Sequence, residues 1–352
     1  MQPCSRPRVA VVAAGFCLSA FALLTRTPAV AASEGGTTPP HTVDAARARN
    51  PSDPPFPRAY FVEGQERASI DERSRPYWVP SELETAVMSR RIGDYRSVLL
   101  NDDIVAFYGS PNSKRMGILG VNPLPETDRL LDEWAARYDS VNGQRGVRKA
   151  FYIIYGTVWP EGEIGFLREA KLHEYIEYAL RNDILVFVDH QIGKYTVAEA
   201  MRRILPFLRY PNVHLAIDPE WRTTQPMVEI GSVTADEVNE AQRMMEEYIV
   251  EHGIPGERLF VIHQFHYRMI RDRERVRTDF ARVRLVHCAD GFGPPSMKRS
   301  SYLFNARAPN MPIKAFKLFF KSPVPGAGYD EPLLPPEEVM ALEPRPYLIM
   351  YQ

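Results

Sequence analysis

Cysteine is nearly absent from this chain. Of three in 352 residues, Cys4 and Cys17 fall within the first 31 positions and only Cys288 lies beyond them. That excludes an intramolecular disulfide and a cysteine-based zinc site in the rest of the chain. The fold must be held by its core, which a chain of this length can supply. No Gly-rich phosphate loop follows the first candidate strand, which runs into Tyr108-Gly109-Ser110-Pro111. No strand or helix carries a paired-histidine motif. Neither a cofactor nor a metal is therefore expected. A dominant charge sign is missing too: 43 Lys and Arg against 44 Asp and Glu leave −1. This argues against nucleic acid or an anionic membrane as a partner.

The long apolar run, Val9 to Leu24, follows Arg6 and Arg8 and precedes Ala29-Val30-Ala31. A basic start, a short apolar stretch and a small-residue site read as a secretory signal peptide over 1–31. The run is too short for a good membrane span, and the residues before Cys17 lack a lipoprotein pattern. The expectation is a soluble monomer, secreted or periplasmic, with no stable membrane insertion once the signal is cleaved. Loss of the three signal arginines leaves the remainder about three charges more negative. Residues 32–57, rich in Pro, Thr, Ser, Gly and Ala, read as a disordered linker. Residues 58–100 read as an N-terminal extension packing on the main domain. Its segment 80–92 looks helical and is placed to cover a barrel groove or floor.

Beyond Asn101, β-type runs at 104–109, 150–157, 184–189, 213–218, 259–264, 283–288, 313–319 and 347–351 alternate with helix-type segments. Those segments are 124–138, 165–181, 197–210, 234–253, 269–281, 296–305 and 336–342. Eight strands in this rhythm predict an α/β fold, a (β/α)8 TIM-like barrel over 101–352 with its last helix missing. An open doubly wound sheet is the rival architecture. Strand 347–351 must then pair with both the first and the seventh strand. Tyr347, Ile349 and Tyr351 are expected to share one of its faces.

Barrel chemistry sits where strands run out into the following loops. That edge carries Tyr108, Tyr155, Asp189, Asp218, Glu220, Trp221, His263, Gln264, Asp290, Lys317 and Tyr351. In Val213-His214-Leu215-Ala216-Ile217-Asp218-Pro219-Glu220-Trp221, alternation puts Asp218 and Glu220 on one face and the apolar Val213, Leu215 and Ile217 on the other. Two acids at the end of a buried strand are costly to desolvate without a task. Asp189 is their candidate partner. His263 and Gln264 fall on opposite faces, so one of them points inward. Trp159, Phe265 and the rim tyrosines suit the C–H faces of sugar rings. The run Arg268, Arg271, Arg273, Arg275, Arg277, Arg282 and Arg284 is interleaved with Asp272, Glu274 and Asp279. It reads as a solvated helix face, or else as a face meeting an anionic polymer.

With Asp218-x-Glu220 on the fourth barrel strand, the chain resembles two groups of secreted glycosidases, the family-eighteen chitinase-type barrel and the family-twenty-five Chalaropsis-type lysozyme barrel. The resemblance implies Glu220 as proton donor, Asp218 as its partner and a glycan as substrate. It covers the barrel plan and this tripeptide. The chitinase pattern has further upstream aspartates where this chain has His214 and Ala216, and the lysozyme pattern opens its first strand with an aspartate absent here. Two other readings use the same residues. One is a divalent-metal hydrolase with ligands among Asp189, Asp218, Glu220, His263 and Asp290. The other is a glycan-binding barrel without catalysis.

Overall fold

The computed structural model describes residues 98–322 and 324–352. The expected signal, the linker and the helix-like segment 80–92 lie outside the described residues. Eight strands form one parallel ring: β1 (Asp102–Gly109), β2 (Gly146–Val158), β3 (Ile184–Gln191), β4 (Val213–Asp218), β5 (Arg258–Gln264), β6 (Val283–Ala289), β7 (Lys314–Leu318) and β8 (Leu348–Tyr351). The ring closes because β1 pairs on both sides, Ala106 lying opposite Ala150 of β2 and Met350 of β8. On its other edge β8 pairs with β7, Ala315 opposite Leu348. The (β/α)8 barrel is the fold, and the last strand closes it on both neighbours.

Two apolar layers follow from strand alternation. Ile104, Ala106 and Tyr108 of β1 join Ala150, Tyr152, Phe187, Ala216, Val261 and Met350 in the lumen. Val105 and Phe107 join Phe151, Val186, Leu215 and Ile349 in the layer between strands and helices. A single-turn 3-10 helix, Val98–Leu100, closes the floor with Val98 and Leu99 buried. Arg145 holds that turn by donating to the carbonyls of Leu99 (2.7 Å), Leu100 (3.1 Å) and Asp102 (2.7 Å). Its Nε donates to buried Asp103 at 3.0 Å, an acceptor it shares with Arg345.

The helices are α1 (Leu124–Asp139), α2 (Glu169–Arg181), α3 (Val197–Ile204), α4 (Ala235–Glu251), α5 (Pro295–Ala306) and α6 (Pro336–Met340). Thr196 and Thr234 start α3 and α4 with capping boxes, each hydroxyl accepting from the backbone of Glu199 or Glu237. Three expectations need correction. Helix α2 starts at Glu169, not 165, because Ile164–Phe166 pairs antiparallel with the end of β2. Helix α3 gives way to a 3-10 turn at Leu205, beside Pro206, which lacks the amide to continue it. Segment 269–281 is no helix. It contains the two-residue strand Ile270–Arg271, paired with Val233–Thr234, and the short turn Arg273–Arg275.

The reason lies in its carbonyls. Asn310 donates to the carbonyls of Arg273 and Val276, Asn239 to that of Arg275 and Gln242 to that of Arg277. Neighbouring elements thus take the acceptors that a helix would use, and Asp272 adopts φ 54. The arginine run is accordingly dispersed. Arg275 pairs with Asp236, Arg277 with Asp279, and Arg284 is buried against Glu257 and several carbonyls.

Candidate active site

Alternation carries a set of polar groups into the upper lumen. Tyr108 follows Ala106 on β1, Asp189 follows Phe187 on β3, Asp218 follows Ala216 on β4, and His263 follows Val261 on β5. Cys288 follows Val286 on β6, and Lys317 follows Ala315 on β7. Asp290 stands just past the end of β6. Every one of these residues is buried.

Their hydrogen bonds form two connected groups. Tyr108 Oη donates to Asp189 Oδ2 at 3.0 Å. His263 places Nδ1 at 3.0 Å from Asp290 Oδ2 and Nε2 at 2.8 Å from Tyr152 Oη. Lys317 Nζ donates to the same Asp290 oxygen at 3.1 Å and lies 3.9 Å from the Tyr108 ring centroid, joining the groups. Asp290 Oδ1 accepts from the Gly291 amide at 2.7 Å. Asp218 differs: neither carboxylate oxygen has a hydrogen-bond partner among the described residues, and Asp189 Oδ1 has none either.

Glu220 lies on the single turn Pro219–Trp221 that leaves β4. Its backbone is fixed from two sides, Gly231 N donating to Glu220 O at 2.7 Å and Gly193 N to Trp221 O at 3.0 Å. The residue is half-buried at the mouth.

Charge separates the four carboxyl groups. Burial raises Glu220 well above the usual carboxylate range, and the Asp218 charge adds to it. Asp218 is lifted to about 7, chiefly by burial; His263 and Lys317 pull it down, while Asp189 and Asp290 push it up. Asp189 is raised by burial against His263 and Lys317. Asp290 goes the other way: burial opposes its charge, but Lys317 and His263 overcome this and hold it below the usual range. Burial also opposes a charge on His263, yet Cys288, Asp290 and Asp218 around it raise its pKa well above normal. At neutral pH the lumen thus holds a protonated acid at the mouth and a fixed anion clamped by two cations below it.

No protein-family model matches the chain, and no curated protein matches it. Solved structures similar to it include a chitinase, a pectin-targeting enzyme and an alcohol dehydrogenase. A chitinase from Chromobacterium violaceum ATCC 12472 shares 10% identity over 62% of this chain and 68% of its own, with a TM-score of 0.36. A GH138 enzyme targeting pectin rhamnogalacturonan II shares 10% identity over 74% of this chain, with a TM-score of 0.37; only 37% of that protein's length is covered. An F420-dependent secondary alcohol dehydrogenase shares 13% identity over 62% of this chain and 69% of its own, with a TM-score of 0.28. Likeness at this level carries no argument about the site.

Of the residues read from the sequence as candidates, the fold brings Tyr108, Asp189, Asp218, Glu220, His263, Asp290 and Lys317 together. Trp221 shares the rim turn with Glu220. Three others lie elsewhere. Tyr155 packs on Phe166 and Phe207 in the layer outside the barrel. Gln264, opposite in phase to His263, accepts from His287 behind the strands at 2.9 Å. Tyr351 faces outward with Ile349, its hydroxyl 2.7 Å from that of Tyr138, while Tyr347 belongs to the lumen floor. Tyr152 and Cys288 are the inward residues that sequence reasoning passed over. Alternation from Ala150 picks out Tyr152, and β2 shifts register between Ile154 and Gly156, so counting back from the strand's end selects the wrong tyrosine.

Proposed function

We propose that the protein is an exported glycoside hydrolase acting on a polysaccharide or cell-wall glycan. The observation that carries this reading is the pair at the end of β4. Glu220 is kept protonated by burial at the mouth, two residues beyond an Asp218 whose oxygens have no protein partner among the described residues. Glu220 delivers its proton to the glycosidic oxygen. Asp218 or Asp189 faces the sugar carbon that becomes positive, or activates water against it. Asp290, clamped by Lys317 and His263, stays an anion beside these acids and takes no part in the proton transfer. Export rests on the basic and apolar pattern of residues 1–31.

A divalent-metal reading draws on one observation: ligand atoms of Asp218, His263 and Asp290 lie within 4.8 Å of one another. The surrounding donors do not fit it. Both ring nitrogens of His263 are engaged, and Asp290 Oδ2 already lies within hydrogen-bond distance of the Lys317 ammonium and the imidazole. A cation there would sit against two positive groups.

The test is hydrolysis of a glycan panel by the purified chain, with and without a chelator, beside Glu220→Gln. Product release insensitive to chelation and abolished in Glu220→Gln is expected. Binding without product release in the unmodified chain would make this a glycan-binding barrel instead, and chelator-sensitive turnover would favour the metal.

A further inference from the structure

The loops after β2, β3 and β4 are joined into one wall beside the mouth. Lys194 N donates to Gly162 O at 2.9 Å, and Gly193 N donates to Trp221 O at 3.0 Å. Glycine makes these approaches possible. A Cβ on Gly162, at φ 79, would meet Thr223 O at 2.5 Å, and one on Gly193, at φ 65, would meet Gly162 O at 2.2 Å. Glu163 adds side-chain ties, accepting from Lys194 and, at 2.6 Å, from Tyr195 Oη. The same wall that carries Glu220 therefore holds the hairpin at the end of β2 in a fixed place.

Trp159 stands on that hairpin. It is 51% exposed and, with Phe166 and Tyr267, is one of three exposed aromatic side chains among the described residues. Exposure has not left it loose. Its amide donates to Glu163 O at 2.7 Å and its carbonyl accepts from Gly162 N at 3.0 Å. The N–H edge of the indole meets Gly165, where a Cβ would come within 2.0 Å of Nε1 and 2.9 and 3.0 Å of Cε2 and Cδ1. An indole seated by its N–H edge on a glycine backbone and half exposed to solvent is a pre-organised apolar plate, costly to expose unless something covers it.

We propose that Trp159 is a sugar-stacking subsite, binding a pyranose ring of the same glycan whose cleaved bond lies at Glu220. This rests on the glycan reading of the site. It makes the substrate an oligomer or polymer that extends from the lumen along the wall formed by the three loops.

The experiment separates binding from turnover. Chitohexaose, cellohexaose and a hexasaccharide of the peptidoglycan backbone are titrated calorimetrically into Glu220→Gln protein, alone and combined with Trp159→Ala, Trp159→Phe or Gly165→Ala. Trp159→Ala should weaken binding of the recognised hexasaccharide at least about tenfold, and Trp159→Phe should recover most of it. Gly165→Ala, which touches no sugar, should weaken it as well by displacing the indole. Equal affinity in all four proteins overturns the subsite, as does failure of Glu220→Gln protein to bind any of the three glycans. Hydrolysis by the unmodified chain is read separately, so a failed subsite and a failed hydrolase give different results.

Discussion

Lys317 Nζ lies 3.1 Å from Asp290 Oδ2, with both side chains only 5% exposed. A buried pair of this kind adds little by its presence, but removing one partner strands the other. Lys317→Met leaves Asp290 with His263 and the Gly291 amide alone. Urea unfolding at neutral pH should show a loss of about 3 kcal/mol, partly restored in Lys317→Met/Asp290→Asn. No measurable loss in the single variant would mean that His263 suffices to hold the Asp290 charge.

Asp218 contributes a pH dependence of known sign. Its folded pKa, raised from 3.8 to about 7 mainly by burial, costs nothing below the lower value, where both states are protonated. As pH rises from there towards 7 the unfolded chain ionises and the folded chain resists, so stability is lost. Asp218→Asn removes that loss. It should be more stable than the parent at mildly alkaline pH, by at most about 4 kcal/mol, with the advantage fading towards the pH where both carboxyls are neutral. A difference that stays constant across pH would contradict the assignment.

The two tyrosines of β2 test which face is the site. Tyr152→Phe removes the hydroxyl 2.8 Å from His263 Nε2, whereas Tyr155→Phe alters a ring outside the barrel. The first should change the pH profile of turnover as the His263 imidazole loses a partner, and the second should leave the profile unshifted. The opposite outcome would reverse the assignment of inward and outward residues on this strand.

What the sequence revealed was decided by whether the deciding contact was local. Asp189, Asp218 and Lys317 were legible because the alternation of their own strands points them inward, and the β4 tripeptide carries its own phase. Tyr155 was misplaced for a non-local reason: its strand shifts register between Ile154 and Gly156, and only the neighbouring strand shows that. Segment 269–281 has helix-like composition, yet its carbonyls are taken by Asn239, Gln242 and Asn310 from elsewhere in the chain. Tyr152 as the partner of His263, across 111 residues, likewise leaves no mark in the sequence around either residue.

The central claim is that Glu220 gives a proton to a poor leaving group. It is tested most directly by comparing Glu220→Ala and the parent on two substrates of the sugar identified by the glycan panel. One is the natural oligosaccharide, and the other is its dinitrophenyl glycoside, whose leaving group needs no protonation. The account predicts that Glu220→Ala loses about 10²- to 10⁴-fold in kcat/KM on the oligosaccharide and far less on the dinitrophenyl glycoside. Equal losses on both substrates, or no loss on either, would contradict it.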